Sequence, residues 1–173
     1  MTAAAMDTLC LRHTRCQGVA LLVLVTAGLS TPRRAGDRAD YRRMSTAPLA
    51  VGTINSVILT DARLTPPTLV EALMIATEAK AAALQELGVT SPVSRRLGTD
   101  AIAVVSGQGT RVHDCGKHVL FGELLGQLVI EAVRGAATLA AGERGVSLTA
   151  GALFVTMAER SPRSPQGPVV GLW

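Results

Sequence analysis

The sequence of 173 residues has almost no aromatic side chains: it contains two Phe, one Tyr and one Trp. Proteins that bind single-stranded nucleic acid commonly stack the bases on aromatic rings, so this scarcity disfavours that class. Nearly all of the 17 basic residues are arginine, and they are scattered along a chain whose net charge is only +4. A nucleic-acid groove needs a denser basic face. We therefore expect no nucleic-acid partner, although individual arginines are suited to binding an anionic ligand.

Long hydrophobic runs and a metal-binding cysteine pattern are also missing. The longest apolar run, residues 19–29, is too short to span a bilayer, and its valine and leucine content is typical of a buried strand. Arginines upstream give this run a loose likeness to a secretory signal, and that alternative stays open. Cys10, Cys16 and Cys115 are odd in number and lack tight spacing, which favours a reducing compartment. The sequence thus predicts a cytoplasmic protein with no membrane partner.

Strand-like and helix-like segments alternate through the middle of the chain. Strands are predicted at residues 19–26, 51–60 and 99–107, which are rich in β-branched and small apolar residues. Helices are predicted at residues 66–87 and 119–137, where apolar residues recur at helical spacing. This alternation predicts an α/β or α+β fold, a single layered domain with a central β-sheet packed by helices.

The two ends of the chain do not share this pattern. Residues 1–17 show no hydrophobic periodicity, and we expect them to form a loose leader. Residues 142–173 include a run rich in Pro, Ser and Arg, and we expect them to be poorly ordered. The layered domain is therefore assigned to residues 18–141.

The helix predicted at residues 66–87 carries a lysine within its apolar stripe. Four leucines and an alanine recur on one face at helical spacing, and Lys80 lies in the middle of them. Lys80 either extends over the leucines to keep its ammonium in water or is held inside by a carboxylate. Glu78 projects from the opposite side of the helix and is not a suitable partner. Asp100, at the start of a strand that this helix covers, is the expected one.

Other polar residues with chemical potential lie in predicted loops and at a helix end. The stretch "GKHVLFGE" places His118 just before the second helix and Glu123 in its first turn. His118 is a candidate general acid or base, or simply a loop or capping histidine. Glu123 is a candidate for proton transfer, or simply complements the positive end of the helix dipole. The sequence contains no nucleotide-binding loop, GxSxG elbow or HExxH helix.

The loop "AGLSTPRRAGD" follows the first predicted strand and is rich in Gly, Pro and Arg. Such loops commonly line binding sites. Ser30, Arg34 and Asp37 are candidates for binding polar groups of a ligand, and ordinary solvation of the loop is the alternative.

A series of short motifs occurs in a specific order between residues 18 and 134. The motifs are "TAGLS" with "RAGD", "GTIN", "ATEAKAAALQELGV", "GTDAIAV" and "CGKHVLFGELLG". Together they resemble the adenosylcobinamide amidohydrolase family, the CbiZ-type enzymes of corrinoid salvage. The chain differs from the family pattern in having Thr31 where asparagine follows the serine. It also has "SRRLGTD" where the family has a longer Gly/Thr-rich loop, and a shorter N-terminus.

The resemblance implies a reaction and a set of site residues. The reaction is hydrolysis of the amide that joins the aminopropanol arm to the corrin ring of adenosylcobinamide, giving adenosylcobyric acid. The cobalt corrinoid is then the small-molecule substrate, and no cofactor or protein-bound metal is expected. His118 or Glu123 is expected to transfer the proton, and Lys80 to stabilise the oxyanion or to hold Asp100 ionised. The substrate contacts are expected from Ser30, Arg34, Asp37, Asn55, Glu78, Thr99 and Gly116.

Two other functions remain open at this point. The altered "SRRLGTD" loop is compatible with a corrinoid-binding homologue that has lost catalysis. A small interaction domain with an accidental likeness is the other alternative. Thr99 as a nucleophile is a weaker hypothesis, since no adjacent base is visible in the sequence. The oligomeric state is not predicted.

Overall fold

The structure of the protein, a computed structural model, describes residues 4–29, 35–36, 53–89 and 100–142. Within these residues the chain forms six strands and two helices, after one short 3-10 turn at Met6–Thr8. The elements are β1 (Cys10–Cys16), β2 (Val19–Ala27), β3 (Ile54–Thr60), β4 (Arg63–Leu64), α1 (Pro66–Glu86), β5 (Ala101–Val105), β6 (Arg111–Val112) and α2 (Leu120–Gly142).

The centre of the domain is a mixed sheet with the strand order β1-β2-β3-β5. The first three strands are antiparallel neighbours, whereas β5 pairs in parallel with β3. A parallel neighbour requires a crossover connection, and α1 lies in that connection. The domain is therefore α+β, with two helices packed on a four-stranded sheet, as the alternation of segments predicts. A second pairing, between β4 and β6, spans only two residues on each strand.

The expected loose leader at residues 1–17 is wrong for residues 10–16, which form β1. A tight turn at Gln17 and Gly18 joins β1 to β2, and both residues have positive φ angles, 48° and 79°. Such angles are typical of the two-residue turns that match the twist of a hairpin. The strand escapes prediction because it lies at the edge of the sheet, and its middle residues, "RHTR", are polar.

Helix α1 begins and ends as the sequence predicts, to within one residue. The Thr65 hydroxyl accepts a hydrogen bond from the Thr68 amide at 3.4 Å, and prolines occupy the first turn. Gly88, just beyond the helix, has a φ of 66°, which a residue with a side chain rarely adopts. The buried face differs from the predicted leucine stripe, because Leu73 is 37% exposed. Alanines take most of that face, and their small side chains allow close packing of the helix.

Helix α2 packs on β1 and β2 and lies beside α1. Its buried residues are mostly alanine, valine and leucine, and Gly135 lies so close to Cys10 that a Cβ would collide with the thiol. Of the helices in the described part of the chain, α2 alone is long and apolar enough to cross a membrane. Half of its most apolar window is buried inside the domain, which is typical of a core helix.

The two faces of the sheet have different surroundings. Cys10, Val25 and Ser56 pair across three strands on the face that the helices cover, and all three are buried. The opposite face carries the intervening residues of each strand. On it, Val57 is 38% exposed and Val105 is 49% exposed. The hydrophobic core therefore lies between the sheet and the helices.

Candidate functional site

The charge within α1 has the partner that the sequence predicts. Lys80 Nζ donates a hydrogen bond to Asp100 Oδ2 at 2.5 Å. The Lys80 side chain is only 11% exposed, whereas that of Asp100 is 42% exposed. Lys80 is therefore held in the interior by a carboxylate and does not extend freely into water. Because Asp100 is open to solvent, a ligand has access to this ion pair.

The start of the parallel strands fixes the Asp100 carboxylate. Asp100 directly precedes β5, and its Oδ1 accepts a hydrogen bond from the Ile54 amide, which opens β3, at 3.3 Å. Parallel strands bring their amino ends to one edge of the sheet, so this bond follows from the topology. Two donors, one from α1 and one from β3, thus hold the two carboxylate oxygens in place.

Three more polar residues lie at the same edge, where β2 ends and β3 begins. Asn55 Nδ2 donates to Thr26 Oγ1 at 3.4 Å, and Thr53 Oγ1 donates to Asn55 Oδ1 at 3.4 Å. The Gly28 amide donates to the Thr53 carbonyl at 2.7 Å, which holds the two chain segments together. We refer to Thr26, Thr53, Asn55, Lys80 and Asp100 as the strand-end cluster.

Four of the predicted site residues lie outside the described residues: Ser30, Arg34, Asp37 and Thr99. Their place in the chain still relates them to the strand-end cluster. Residues 30–52 connect β2 to β3 at this edge, and Thr99 is bonded to Asp100. The chain segments that carry these residues are therefore joined in sequence to the edge where the ion pair lies.

A second group of polar side chains borders a groove between the two helices. Lys117 Nζ lies 2.8 and 3.0 Å from the two carboxylate oxygens of Glu78. Gln127 donates to Glu123 at 3.2 Å. Small and aliphatic residues form the floor: Ile75, Ala79, Ala82, Gly122, Gly126 and Ile130. We call this region the helix groove.

The turn before α2 adjoins one end of the helix groove. The Cys115 amide donates to Glu71 Oε2 at 2.9 Å, and the Gly116 amide donates to Asp114 Oδ1 at 2.7 Å. His118 follows in this turn and is exposed. A Cβ on Gly122 would collide with the carbonyl oxygens of the turn, so glycine is required for this close approach.

The predicted catalytic residues divide between two places. The turn that carries His118 is anchored at Glu71, nine residues before Lys80 on α1. That separation corresponds to about 14 Å along the helix axis. Glu123 borders the helix groove, with Glu78, on another side of α1 from Lys80. The structure therefore brings Lys80 together with Asp100, and does not join His118 or Glu123 to them.

Most of the chain is similar in sequence to one protein family. Residues 1–145 match the family model described as adenosylcobinamide amidohydrolase, CbiZ. The chain belongs to this family. An uncharacterized protein of Methanocaldococcus jannaschii is 31% identical over 150 residues. The match covers 76% of this chain and 59% of that relative, so the chain spans about three fifths of the relative's length.

The CbiZ match includes the strand-end cluster and the helix groove, so family membership alone does not identify which of the two is the active site. It begins before β1, which supports including the N-terminal hairpin in the family domain.

Thr26 and Lys117 are polar residues of the two regions that the sequence does not single out. Thr26 is the penultimate residue of β2 and immediately precedes the "AGLS" motif, and that position is a usable signal. Lys117 has no such signal, since its partner Glu78 is remote in sequence.

The cysteine nearest to either region is unsuited to nucleophilic catalysis in this CbiZ-family domain. Burial, together with the neighbouring carboxylates of Glu71 and Asp114, raises the pKa of Cys115 to about 12. Since the thiolate is the reactive form, Cys115 is a weak nucleophile near neutral pH. Within the described ranges, no three or more His, Cys, Asp or Glu residues form a group that could hold a metal ion.

Proposed function

We propose that this protein hydrolyses the aminopropanol amide of adenosylcobinamide to adenosylcobyric acid, in corrinoid salvage for cobalamin biosynthesis. The family match over residues 1–145 supports the reaction class. The observation that carries the proposal is the ion pair of Lys80 with Asp100 at the sheet edge. One partner is buried and the other is open to solvent, and the "AGLS" and "GTD" motifs adjoin this edge in sequence.

The strand-end cluster supplies two of the groups that amide hydrolysis needs. Water must lose a proton as it attacks the carbonyl carbon, and the carbonyl oxygen then carries negative charge. In our proposal, the Asp100 carboxylate accepts the proton from water. The Lys80 ammonium, which is fixed beside it, stabilises the oxyanion.

The leaving aminopropanol nitrogen must gain a proton when the C–N bond breaks. Protonated Asp100 is positioned to return the proton it has taken, so one carboxyl group serves both steps. His118 and Glu123 are the competing candidates for this transfer. Their place by the helix groove makes them the weaker choice, because they lie away from the ion pair.

We expect five of the seven proposed substrate contacts near the same edge. Asn55 offers an amide group that suits the amide side chains of the corrin ring, and Ser30, Arg34, Asp37 and Thr99 belong to chain segments that adjoin this edge in sequence. Glu78 and Gly116 remain predicted contacts at the helix groove. The cobalt enters with the substrate, so we propose no resident cofactor, and we place the reaction in the cytoplasm.

The direct test is to incubate the purified protein with adenosylcobinamide and to follow adenosylcobyric acid by chromatography and mass spectrometry. We expect product from the natural chain and almost none from an Asp100→Asn variant. Circular dichroism on both proteins controls for folding. A folded natural chain that yields no product would refute the proposed activity.

A catalytically inactive corrinoid-binding protein is the second candidate. The stretch "SRRLGTD", with arginines in place of the family's Gly/Thr-rich residues, favours it. It predicts adenosylcobinamide binding without turnover. Replacing "SRRL" by the family's Gly/Thr-rich residues separates the two candidates, because a gain of activity would identify this loop as the lesion.

A further inference from the structure

The two short strands β4 and β6 place two arginines side by side. Arg63 and Arg111 pair in register between these parallel strands, and both are exposed. Their side chains therefore leave the same side of the strand pair, from backbones about 4.8 Å apart. The next residues in register, Leu64 and Val112, face the opposite way, and Leu64 is buried. Two guanidinium groups thus share one solvent-facing surface, which we call the arginine pair.

The arginine pair lies far from the strand-end cluster. Strand β4 follows the carboxyl end of β3, whereas the ion pair of Lys80 with Asp100 lies at the amino end of β3. The seven residues of β3 span about 23 Å. The arginine pair is therefore not part of the proposed active site.

The arginine pair differs from the other basic groups of the described ranges, because neither guanidinium has a carboxylate partner there. Every other lysine or arginine in those ranges lies 3.9 Å or less from a carboxylate oxygen: Arg12, Arg15, Lys80, Lys117 and Arg134. The acidic residues nearest in sequence are engaged elsewhere. Asp61 accepts from Arg15 at 3.2 Å and from the Ala20 amide at 2.8 Å, and Asp114 accepts from the Gly116 amide at 2.7 Å. Like charges side by side in a sheet are destabilising, and a bound anion would remove this repulsion.

The loop between β5 and β6 fixes the backbone of the arginine pair. The Gly107 amide donates to the Ala62 carbonyl at 2.8 Å, and the Arg63 amide donates to the Thr110 carbonyl at 2.9 Å. A Cβ on Gly107 would collide with the backbone of Asp61, so glycine is required for this close approach. A ligand therefore meets two arginines whose backbones are already in place, which lowers the entropy cost of binding.

The charge of the arginine pair indicates the class of anion. Each guanidinium carries one positive charge and presents a planar fork of N–H donors to oxygen atoms. A phosphate monoester carries a charge of about −1.5 to −2 near pH 7 and has three acceptor oxygens. A carboxylate has one charge and two oxygens, which a single guanidinium satisfies. Nucleic acid needs a broader basic face than two arginines with Asp61 and Asp114 close by in sequence.

We propose that Arg63 and Arg111 bind the phosphate monoester group of a small molecule, at a site separate from the strand-end cluster. The two guanidinium groups donate hydrogen bonds to its terminal oxygens and neutralise its charge. This inference is independent of the proposed hydrolysis, since it concerns a different surface and its test needs no turnover.

Inorganic phosphate is the probe, and isothermal titration calorimetry at constant ionic strength measures its Kd. We expect saturable binding to the natural chain, and a Kd about tenfold higher in Arg63→Gln and in Arg111→Gln, because hydrogen bonds between charged groups are lost. Arg63→Lys and Arg111→Lys keep the charge without the planar fork and should raise Kd by a smaller factor. The matched control is Arg12→Gln, which removes a guanidinium that lies 3.9 Å from Glu131, and its Kd should stay within about twofold of the natural value.

Circular dichroism establishes that each variant folds, and the lysine variants decide the matter if the glutamine variants do not fold. A natural chain that binds no phosphate would overturn the proposal, as would an unchanged Kd in the folded variants of Arg63 and Arg111. Acetate binding as tight as that of phosphate would overturn the assignment to phosphate. A fluorescent DNA duplex whose binding depends on both arginines, with an unchanged Kd for phosphate, would assign the pair to nucleic acid and overturn the proposal as well.

Discussion

The strand-end cluster and the helix groove each contain a lysine paired with a carboxylate, yet the two pairs differ in their surroundings. Lys80 is 11% exposed and is paired with Asp100 at the edge of the sheet. Lys117 and Glu78 are 65% and 60% exposed on the helix surface. An exposed pair costs little to form and contributes little, whereas burying an ammonium carries a large desolvation penalty. The buried pair is therefore the one whose retention calls for a functional explanation.

The surroundings of Lys80 show how the fold accommodates this charge. Its neighbours on the buried face of α1 are Ala76, Ala79 and Ala83, which leave room for a long side chain. Asp100 reaches the ammonium because β5 begins beside the amino end of β3. Both lysines have a carboxylate partner. Only Lys80 is held in the interior, because the chain topology brings Asp100 beside it.

The largest expected effect is on catalysis. Asp100→Asn keeps the size of the side chain and removes the base, so we expect kcat/KM for adenosylcobinamide to fall by about 10²- to 10⁴-fold. Glu78→Gln makes the same chemical change in the exposed pair; because Glu78 is a predicted substrate contact away from the ion pair, we expect it to raise KM by a few fold and to leave kcat within about twofold. Product formation in a steady-state assay measures both. If Glu78→Gln were the more damaging change, the reaction would belong to the helix groove.

Two glycines of α2 provide a contrast in stability. An alanine at Gly122 would collide with the carbonyl oxygens of Cys115 and Gly116, so we expect Gly122→Ala to destabilise the fold by about 1–3 kcal/mol. A Cβ at Gly126 would meet only Ile75 Cγ2, at 3.9 Å. Gly126→Ala should therefore be neutral or stabilise by up to about 1 kcal/mol. Urea unfolding of both variants measures the difference in their free energies of unfolding. Equal free energies would show that the turn before α2 can shift to accommodate the added methyl group.

The same comparison predicts different coupling energies for the two ion pairs. A double-mutant cycle with Lys80→Met and Asp100→Asn should give a coupling free energy of about 1–3 kcal/mol. Because Asp100 is partly exposed to solvent, this coupling free energy should be lower than that of a fully buried pair. The cycle with Lys117→Met and Glu78→Gln should give about 0.2–1 kcal/mol. Urea unfolding at low and high salt provides the measurement, and a stronger coupling in the exposed pair would contradict our account.

The sequence predicts most of the fold and the pairing of Lys80 with Asp100, but it does not predict that His118 and Glu123 lie away from this pair. Lys80 and Asp100 are predictable as partners because helix spacing and strand position are both local properties. Strand β1 escapes prediction because its middle is polar, and Leu73 is wrongly placed inside because alanines pack closer to the sheet. The separation of His118 from Lys80 depends on where the turn before α2 meets α1, and no local pattern records that contact.

The residues of the helix groove should contribute much less to catalysis than Asp100. We expect His118→Gln and Glu123→Gln to change kcat/KM by less than about threefold, because the structure places neither beside the ion pair. A pH–rate profile for each variant adds a second readout, since loss of an essential acid or base removes one limb of the profile. Loss of a limb with either variant would transfer the proton-transfer role back to that residue.

The smallest expected effect concerns the thiol at the end of the helix groove. Cys115 is fully buried, and its pKa is raised to about 12, chiefly by burial and then by Glu71 and Asp114. At pH 8 almost no thiolate exists and reagents have no access, so iodoacetamide should label Cys115 only after the protein unfolds. Peptide mapping with and without guanidinium checks this, and Cys115→Ala should keep its activity. Rapid labelling of the folded protein would show that the turn before α2 opens, and the helix groove would then contain a nucleophile that competes with the strand-end cluster.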